Sequence, residues 1–551
     1  MAYDYVIVGG GPAGCVLASR LSEDPQVSVL LLEAGGSDRH MLYRMPAGFA
    51  KMTKGIGSWG WETVPQKHMK DRVLRYTQAK VIGGGSSINA QVYTRGNARD
   101  YDGWAAEEGC GAWAYRRVLP YFKRAEDNQR FLDDYHGVGG PLGVSMPAAA
   151  LPICEAFIKA GQELGIPYNM DFNGRRQEGV GFYQLTQRNH ERSSASRAYL
   201  DPVRARKNLT VRLDARVERV VIDKGRAIGV MLSSHGKAEM VRAEREVIVS
   251  SGAVGSPKLL LQSGIGPADE LRALGVPVVR DLPGVGRNLQ DHLDLFVIAE
   301  CRGDFTYDGV ARPHRTLAAG LQYLLYRNGP VASSLFETGG FWYADPLAES
   351  PDIQFHLGLG SGIEAGVERL RNPGVTLNTA YLRPRSRGTV TLRSADPADA
   401  PLIDPNYWSD PHDRTMSIEG LKIAREFIRQ PAMQPFILAE RLPGPAMRSD
   451  ADLFDYACRN AKTDHHPVGT CRMGLGPDAV VDPELRVHGV EGLRVCDSSV
   501  MPAVPSCNTN GPTIMVGEKG ADIIRGRQAL APVIFADERN DVPQHARRRV
   551  A

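Results

Sequence analysis

Groups able to move a proton and to hold developing negative charge are concentrated in two late segments of this 551-residue chain. The first, Asp464-His465-His466-Pro467-Val468-Gly469-Thr470-Cys471-Arg472-Met473-Gly474, places two imidazoles beside a carboxylate and a Pro/Gly turn. Imidazole is the side chain that titrates nearest neutrality. In the second segment the strand-like run Leu493-Arg494-Val495-Cys496 ends in Asp497 and Ser498. A polar turn, Asn508-Thr509-Asn510-Gly511, then feeds an apolar helix with Pro512 and Thr513 near its start. That order sets backbone N–H groups and Asn510 at a helix N-terminus, a natural site for stabilising anionic charge.

The amino-terminal stretch carries a different chemistry. Tyr3–Val8 is an apolar run, Gly9-Gly10-Gly11-Pro12-Ala13-Gly14 has the spacing Gly-x-Gly-x-x-Gly, Cys15–Leu21 is patterned as a helix, and Val27–Leu32 is a second apolar run ending at Glu33 and Ala34. Together they read as a βαβ unit of the dinucleotide-binding type. Gly9 allows the tight turn off the strand, Gly11 lets backbone approach a pyrophosphate, and Gly14 lets helix and strand pack closely. The phosphates then meet the positive end of the helix. Glu33 sits where a carboxylate accepts ribose hydroxyls and repels a 2′-phosphate, which argues against NADP. A third glycine-rich stretch, Val81-Ile82-Gly83-Gly84-Gly85-Ser86-Ser87-Ile88-Asn89-Ala90-Gln91-Val92, offers small side chains and free N–H groups on which a flat ring or an anion can rest.

Positioning these groups takes more than one core, since the chain exceeds the usual single-domain length. Lys and Arg number 66 against 63 Asp and Glu, so net charge gives no reason to invoke nucleic acid, and the substrate should be small and neutral or weakly charged. Eight cysteines lie scattered without CxxC metal spacing, as suits reduced, largely buried thiols and no metal site. The first strand begins at Tyr3, leaving no room for a signal sequence, and no apolar run reaches membrane-spanning length. A cytoplasmic protein is expected, at most peripheral to a membrane.

In chain order, helices are predicted across Asp100–Glu126 and Leu151–Leu164. Strand runs at Asn208–Leu213, Ala215–Ile222 and Ala227–Leu232 are expected to form an antiparallel excursion. Arg245–Ala253 returns as a buried strand, and Ser256–Gly264 starts a helix with Pro257 in its first turn. The middle, with Asp352–His356, Gly388–Arg393 and Met416–Ile428, reads as an antiparallel sheet with helices. The fold expectation is mixed α/β: a Rossmann-like nucleotide domain from 1–150, 195–300 and 463–527, a substrate domain from 151–194 and 301–462, and a loose tail at 528–551 containing Arg547-Arg548-Arg549.

Taken in order, Gly-Gly-Gly-Ser-Ser-Ile-Asn, Ser256-Pro-Lys-Leu-Leu-Leu-Gln-Ser-Gly-Ile-Gly, His-Pro-Val-Gly-Thr-Cys-Arg-Met-Gly and Asn-Thr-Asn-Gly-Pro-Thr resemble the motifs of the glucose-methanol-choline family of FAD-dependent oxidoreductases, to about residue 526. Phe49–Thr53, Pro65–His68, Gly85–Ala90 and Asp171–Gly174 look most like bacterial sorbose dehydrogenases, with choline dehydrogenases next. The resemblance implies His466 as catalytic base and Asn510 as its partner across the substrate hydroxyl. It implies an FAD lined by Gly9, Gly11, Pro12, Ala13, Gly14, Glu33, Ala34, Trp61, Val81, Gly83, Gly84, Ser87, Asn89, Ala90, Val92, Val217, Ala253, Asp497, Ser498, Pro512 and Thr513. Some members attach FAD through a histidine where this chain has Ile88, so the link should be non-covalent. The implied reaction is oxidation of a primary alcohol, of a sugar or polyol, with proton loss to His466, hydride transfer to flavin N5, and a quinone, dye or oxygen as acceptor. Activity should then rise with pH through the imidazole range. Choline is the alternative substrate, with Glu337 as the one carboxylate candidate for its ammonium or else a structural residue. His465 either shapes the pocket or packs. A hydroxynitrile-lyase-like protein whose flavin is not reduced is the remoter reading.

Overall fold

The computed structural model describes residues 2–535 apart from Ala149, His235, Gly236 and Ala365. The chain enters on β1 (Ala2–Val8), turns into α1 (Pro12–Leu21) and returns on β2 (Val29–Leu32). It then forms α2 (Tyr115–Ala125), α3 (Pro152–Glu163), β3 (Gly179–Phe182), β4 (Leu209–Arg212), β5 (Arg216–Asp223), β6 (Arg226–Ser234), β7 (Lys237–Val249) and α4 (Gly252–Gln262). A second sheet follows on β8 (Leu293–Cys301) and, after α5 (Pro313–Tyr326), on β9 (Phe336–Trp342), β10 (Ile353–Gly358) and β11 (Gly374–Tyr381). Beyond α6 (Pro411–Arg429) come β12 (Ile437–Leu442), β13 (Leu493–Val495) and α7 (Asn510–Ile524).

The first sheet has the order β4-β2-β1-β7-β6-β5, with β13 also on β7. Its centre is parallel: β1 lies between β2 and β7, with Val6 opposite Leu30 and Val247. Strands covered on both faces read as near-continuous apolar runs, and Val6, Ile7, Val29, Leu30 and Leu31 are fully buried. The long strand β7 holds β1 on one edge; its other edge is taken first by antiparallel β6 and then by parallel β13. The expected antiparallel excursion is therefore β5, β6 and the start of β7. Its third expected member, β4, pairs parallel with β2 (Leu209 opposite Val29). Alternation in Leu209-Thr210-Val211-Arg212 is the same for either direction, which is set by where the preceding chain crosses over.

The second sheet is antiparallel throughout, in the order β12-β8-β11-β10-β9-β3. Helices α3 and α6 cover one face, with Phe157 stacked on Phe427 at 4.7 Å and Phe355 of β10 beside it. By strand alternation Gln354 and His356 go to the other face, toward the first sheet.

Two prolines open the helices that contain them. Helix α4 starts at Gly252, earlier than expected, so Pro257 falls inside it and leaves the Ala253 carbonyl without its i+4 donor. That carbonyl accepts the Thr470 hydroxyl at 2.6 Å. In α2, Pro120 likewise frees the Arg116 carbonyl, which accepts the Val533 N–H at 2.9 Å. Phe535 stacks on Tyr135 and Tyr115. The tail is thus docked as far as Phe535 rather than loose, because a carbonyl and two rings await it. Arg547-Arg548-Arg549 lie outside the described residues. Among those residues all eight cysteines are buried without disulfides, and no helix is long and apolar enough to cross a membrane.

Candidate active site

The glycine turn after β1 is built by exclusion. A Cβ on Gly9 (φ +105°) would lie 2.4 Å from the Ser250 carbonyl, and one on Gly14 would lie 2.0 Å from the Gly9 carbonyl. Gly11 differs: a Cβ there would meet only Ser250 O, at 3.8 Å, and would project into the cavity the turn lines. The open side of Gly11 is a cradle for a ligand that needs backbone contact. Behind the turn, Gly83 N donates to Gly10 O at 2.7 Å, and Ser87 Oγ donates to Ile82 O at 2.7 Å. Of the residues expected around the cofactor, Gly14, Val81, Gly83, Ser87 and Pro512 stand behind the cavity wall and set its backbone; the others line it. So does Ile88.

Glu33 also lines the cavity, and its two oxygens accept Gly10 N and Gly35 N, each at 2.7 Å. Burial nevertheless pushes its carboxyl up to about 7. Asp497 is tied similarly, accepting Gly252 N (2.9 Å) and Ser256 Oγ (2.5 Å) from α4 and Ser499 N (2.7 Å) from its own turn. Both α1 and α7 bring N-termini without a side-chain cap to this cavity, where Gly11, Pro12, Thr509 and Asn510 face the space.

At the other end of the cavity the histidine segment is fastened to the chain just before β8. Gln290 and Val468 exchange backbone hydrogen bonds (3.1 and 2.9 Å), and buried Asp291 accepts His466 N (2.8 Å) and Thr463 Oγ1 (2.6 Å). This holds His466 beside His292, Nδ1 to Nδ1 at 3.0 Å. The tautomers follow from the outer partners. His292 Nε2 lies 3.1 Å from the Leu382 carbonyl, which can only accept, so the His292 proton is on Nε2 and its Nδ1 is bare. His466 must then donate from Nδ1, leaving its own Nε2 as a lone pair. The far side agrees: Asn508 Oδ1 accepts Gln354 Nε2 (3.0 Å), which turns Asn508 Nδ2 as a donor toward His466 Nε2 at 3.2 Å. Asp464 Oδ2, 3.3 Å from His466 Nδ1, makes no hydrogen bond.

Burial, reinforced by His292, His356, His465 and Lys462, holds His466 well below the usual imidazole value of 6.5. The imidazole is thereby kept neutral over the ordinary pH range, and the titration expected in the imidazole range is displaced to more acid pH. His465 (φ +62°) and His356 also line the cavity, each pushed down to about 4 by burial, with His465 Nδ1 and His356 Nε2 unpartnered. Asn510 makes no hydrogen bond to His466, and both polar atoms of its amide are buried without a partner.

Glu337 is not in the cavity. Its neighbour Phe336 lines the space, whereas Glu337 is hydrogen-bonded by Ser333, with Cys154 and Tyr307 nearby, and burial pushes it up to about 7. The carboxylates lining the space near His466 are Asp464 and Glu364. Against burial, Lys462 at 3.0 Å and Asn378 at 2.9 Å hold Glu364 below its usual range, whereas burial and Asp294 push Asp464 well up. His292, His356, Glu364, Asn378 and Asn508 were not singled out from the sequence. His356 and Asn508 lay within stretches already read, and strand parity together with the helix-start turn could have found them.

A backbone cradle, two uncapped helix N-termini and an orphaned amide suit a long ligand with an anionic middle and a polar ring. Comparison with known proteins points the same way. The N- and C-terminal profiles described as GMC oxidoreductase match residues 3–294 and 384–517. The chain is 43% identical over 528 residues to an alcohol dehydrogenase [acceptor] of Pseudomonas putida, covering 95% of each chain. It is 42% identical over 537 residues to oxygen-dependent choline dehydrogenase 1 of Chromohalobacter salexigens, covering 96% of each. The crystal structure of pyridoxine 4-oxidase from Mesorbium loti superposes with a TM-score of 0.87 at 32% identity, over 96% of this chain and 100% of that one.

Proposed function

The chain belongs to the GMC oxidoreductase family, and from that premise we propose that it oxidises a primary alcohol to the aldehyde with His466 as the base. It is an FAD-dependent oxidoreductase acting on CH–OH donors. FAD, when bound, supplies the acceptor for the hydride of the carbinol carbon. The observation that carries the reading is the unprotonated Nε2 of His466, which accepts from Asn508 and is presented in the same cavity as the unpartnered Asn510 amide.

The residues act as follows. An alcohol C–H is a poor hydride donor until the O–H proton leaves, so His466 Nε2 takes that proton. The charge then on the imidazole is shared through Nδ1–H with His292, and the Asn510 amide hydrogen-bonds the alkoxide oxygen as it forms. Gly9, Gly11 and the start of α1 would hold the pyrophosphate of FAD, Glu33 its ribose, and the start of α7 its ring. The link is non-covalent, since Ile88 carries no nucleophile.

Alkyl, sugar or polyol alcohols, an L-sorbose-like one among them, are the first substrate class, with quinone, dye or oxygen as acceptor. Choline is a second reading, supported by the choline dehydrogenase relative and by ionised Glu364 in the cavity. Pairing with Lys462 neutralises that charge, which favours a neutral alcohol. Anaerobic mixing of the yellow enzyme with a panel including 1-alkanols, L-sorbose, choline and its uncharged isostere 3,3-dimethylbutan-1-ol tests both. Bleaching by no alcohol would leave only a non-redox flavoprotein.

A further inference from the structure

Helix α5 turns its apolar side outward. Only Ala319 and Tyr323 are buried, while Leu317, Leu321, Leu324 and Leu325 are 66, 51, 48 and 72% exposed and Tyr326 is 71% exposed. Single exposed leucines are ordinary, but these stand at i, i+4, i+7 and i+8, a continuous stripe of the kind that elsewhere faces a core.

The charge around the stripe is one-sided. No Asp or Glu occurs between Gly309 and Phe336, where the charged residues are Arg312, Arg315 and Arg327. None occurs between Arg39 and Trp61 either, where they are Arg39, Arg44, Lys51 and Lys54, although the whole chain is nearly balanced. The two segments adjoin: the Pro46–Gly48 turn packs on the Pro330–Ala332 turn, and Arg44 and Arg327 converge on Glu191 at 3.6 and 3.0 Å. Glu191 and Asp304, the latter on Arg315, offset part of this excess. Met41, 47% exposed, adds a further apolar side chain to the first segment.

We propose that α5 and segment 39–54 dock this protein on an anionic phospholipid bilayer. The leucine stripe enters the boundary between headgroups and acyl chains, and the flanking arginines and lysines meet lipid phosphates. A helix of 14 residues is far short of the roughly 20 needed to span, so it lies in the plane of the surface. A second copy of the chain is the poorer occupant, since a two-fold contact through this face would set basic residues against their own copies. Segment 39–54 also supplies Phe49 and Thr53 to the active cavity, so docking brings that cavity to the membrane, where apolar alcohols and lipid-soluble acceptors are concentrated. The docking itself does not rest on the catalytic reading.

The test is co-sedimentation of the holoenzyme with phosphatidylcholine vesicles containing or lacking about 30 mol % phosphatidylglycerol. Partition onto the anionic vesicles is expected, and raising salt from about 0.1 to about 0.5 M should weaken it. Leu321→Ser/Leu325→Ser and Arg312→Glu/Arg315→Glu should each lower the partition coefficient about ten-fold or more. Activity with a water-soluble alcohol and dye should be unchanged, which shows that the variants fold. Absence of binding, binding indifferent to either variant, or equal binding to uncharged vesicles would overturn the proposal. So would a dimer in solution that the leucine variant dissociates while vesicle binding is unaffected.

Discussion

Replacing His292 by Leu keeps volume beside His466 but removes the acceptor that fixes its proton on Nδ1. The buried N–H of His466 would be left with an unbonded Asp464 carboxyl at 3.3 Å as its nearest alternative, and leaving a buried donor unsatisfied costs about 1 to 3 kcal/mol. If that cost falls on the tautomer whose Nε2 is bare, the active fraction and the rate of flavin reduction drop by about 5- to 150-fold, at roughly 1.4 kcal/mol per decade. His292 does not line the cavity, so KM should hold while kcat falls. His292→Asn places a carboxamide oxygen near the lost Nδ1 and should recover most of the rate. The assay is anaerobic stopped-flow bleaching of the flavin for all three proteins, with thermal melting alongside. A native rate in His292→Leu would refute the tautomer argument. Equal slowing and equal loss of Tm in both variants would reduce His292 to a packing residue.

His466→Ala should keep the fold and FAD spectrum but slow flavin reduction by about 10²- to 10⁴-fold, the range for losing a general base, with His465→Ala costing much less; near-native reduction in His466→Ala would rule out His466 as the base. Because the His466 pKa is depressed, the base is free above its folded value and is lost only as pH falls through it. Reduction rates should therefore stay flat from pH 8 to below 6.5, and Asn508→Asp, by favouring the imidazolium, should move the acid limb upward. A native limb already at 6.5 or higher would contradict the burial argument. Glu33→Ala should raise the Kd for FAD by roughly 10- to 150-fold, from about 1.5 to 3 kcal/mol for a charge-assisted hydrogen bond, and should also loosen the Gly10 and Gly35 backbone. Titration showing unchanged affinity would remove Glu33 from the ribose site. Acid or heat should release all flavin as free FAD, and colour retained on the denatured chain would contradict the reading of Ile88.

The stretch from β1 to β2 was legible almost residue by residue, because a parallel strand covered on both faces must be continuously apolar and because Gly9 and Gly14 admit no side chain. The direction of β4 was not legible, since pairing direction leaves no trace in a four-residue alternation. The start of α4 was missed because Gly252, Ala253, Val254 and Gly255 are a poor helix opening on propensity. Their tertiary partner Thr470 lies far along the chain. Of the site, the glycine turns and the His-Pro motif could be read. His292 could not, because its role depends on a carbonyl at Leu382 and an imidazole at His466, joined only when the chain before β8 lies against both. Glu337, read as an ammonium partner or else a structural residue, lies outside the cavity, and the register shift that falls at it in the β9–β10 pairing leaves no mark in the sequence.

The bond from Thr470 to the Ala253 carbonyl also sets a clock on biosynthesis. The two residues are 217 positions apart, and at about 5 to 20 residues per second a ribosome needs roughly 10 to 40 s to pass from one to the other. For that interval the carbonyl opened by Pro257 is without the Thr470 hydroxyl, and β7 waits still longer for β13 to cover the end of its edge. The nucleotide half, although it is begun first, is completed only when the last strand and helix leave the ribosome.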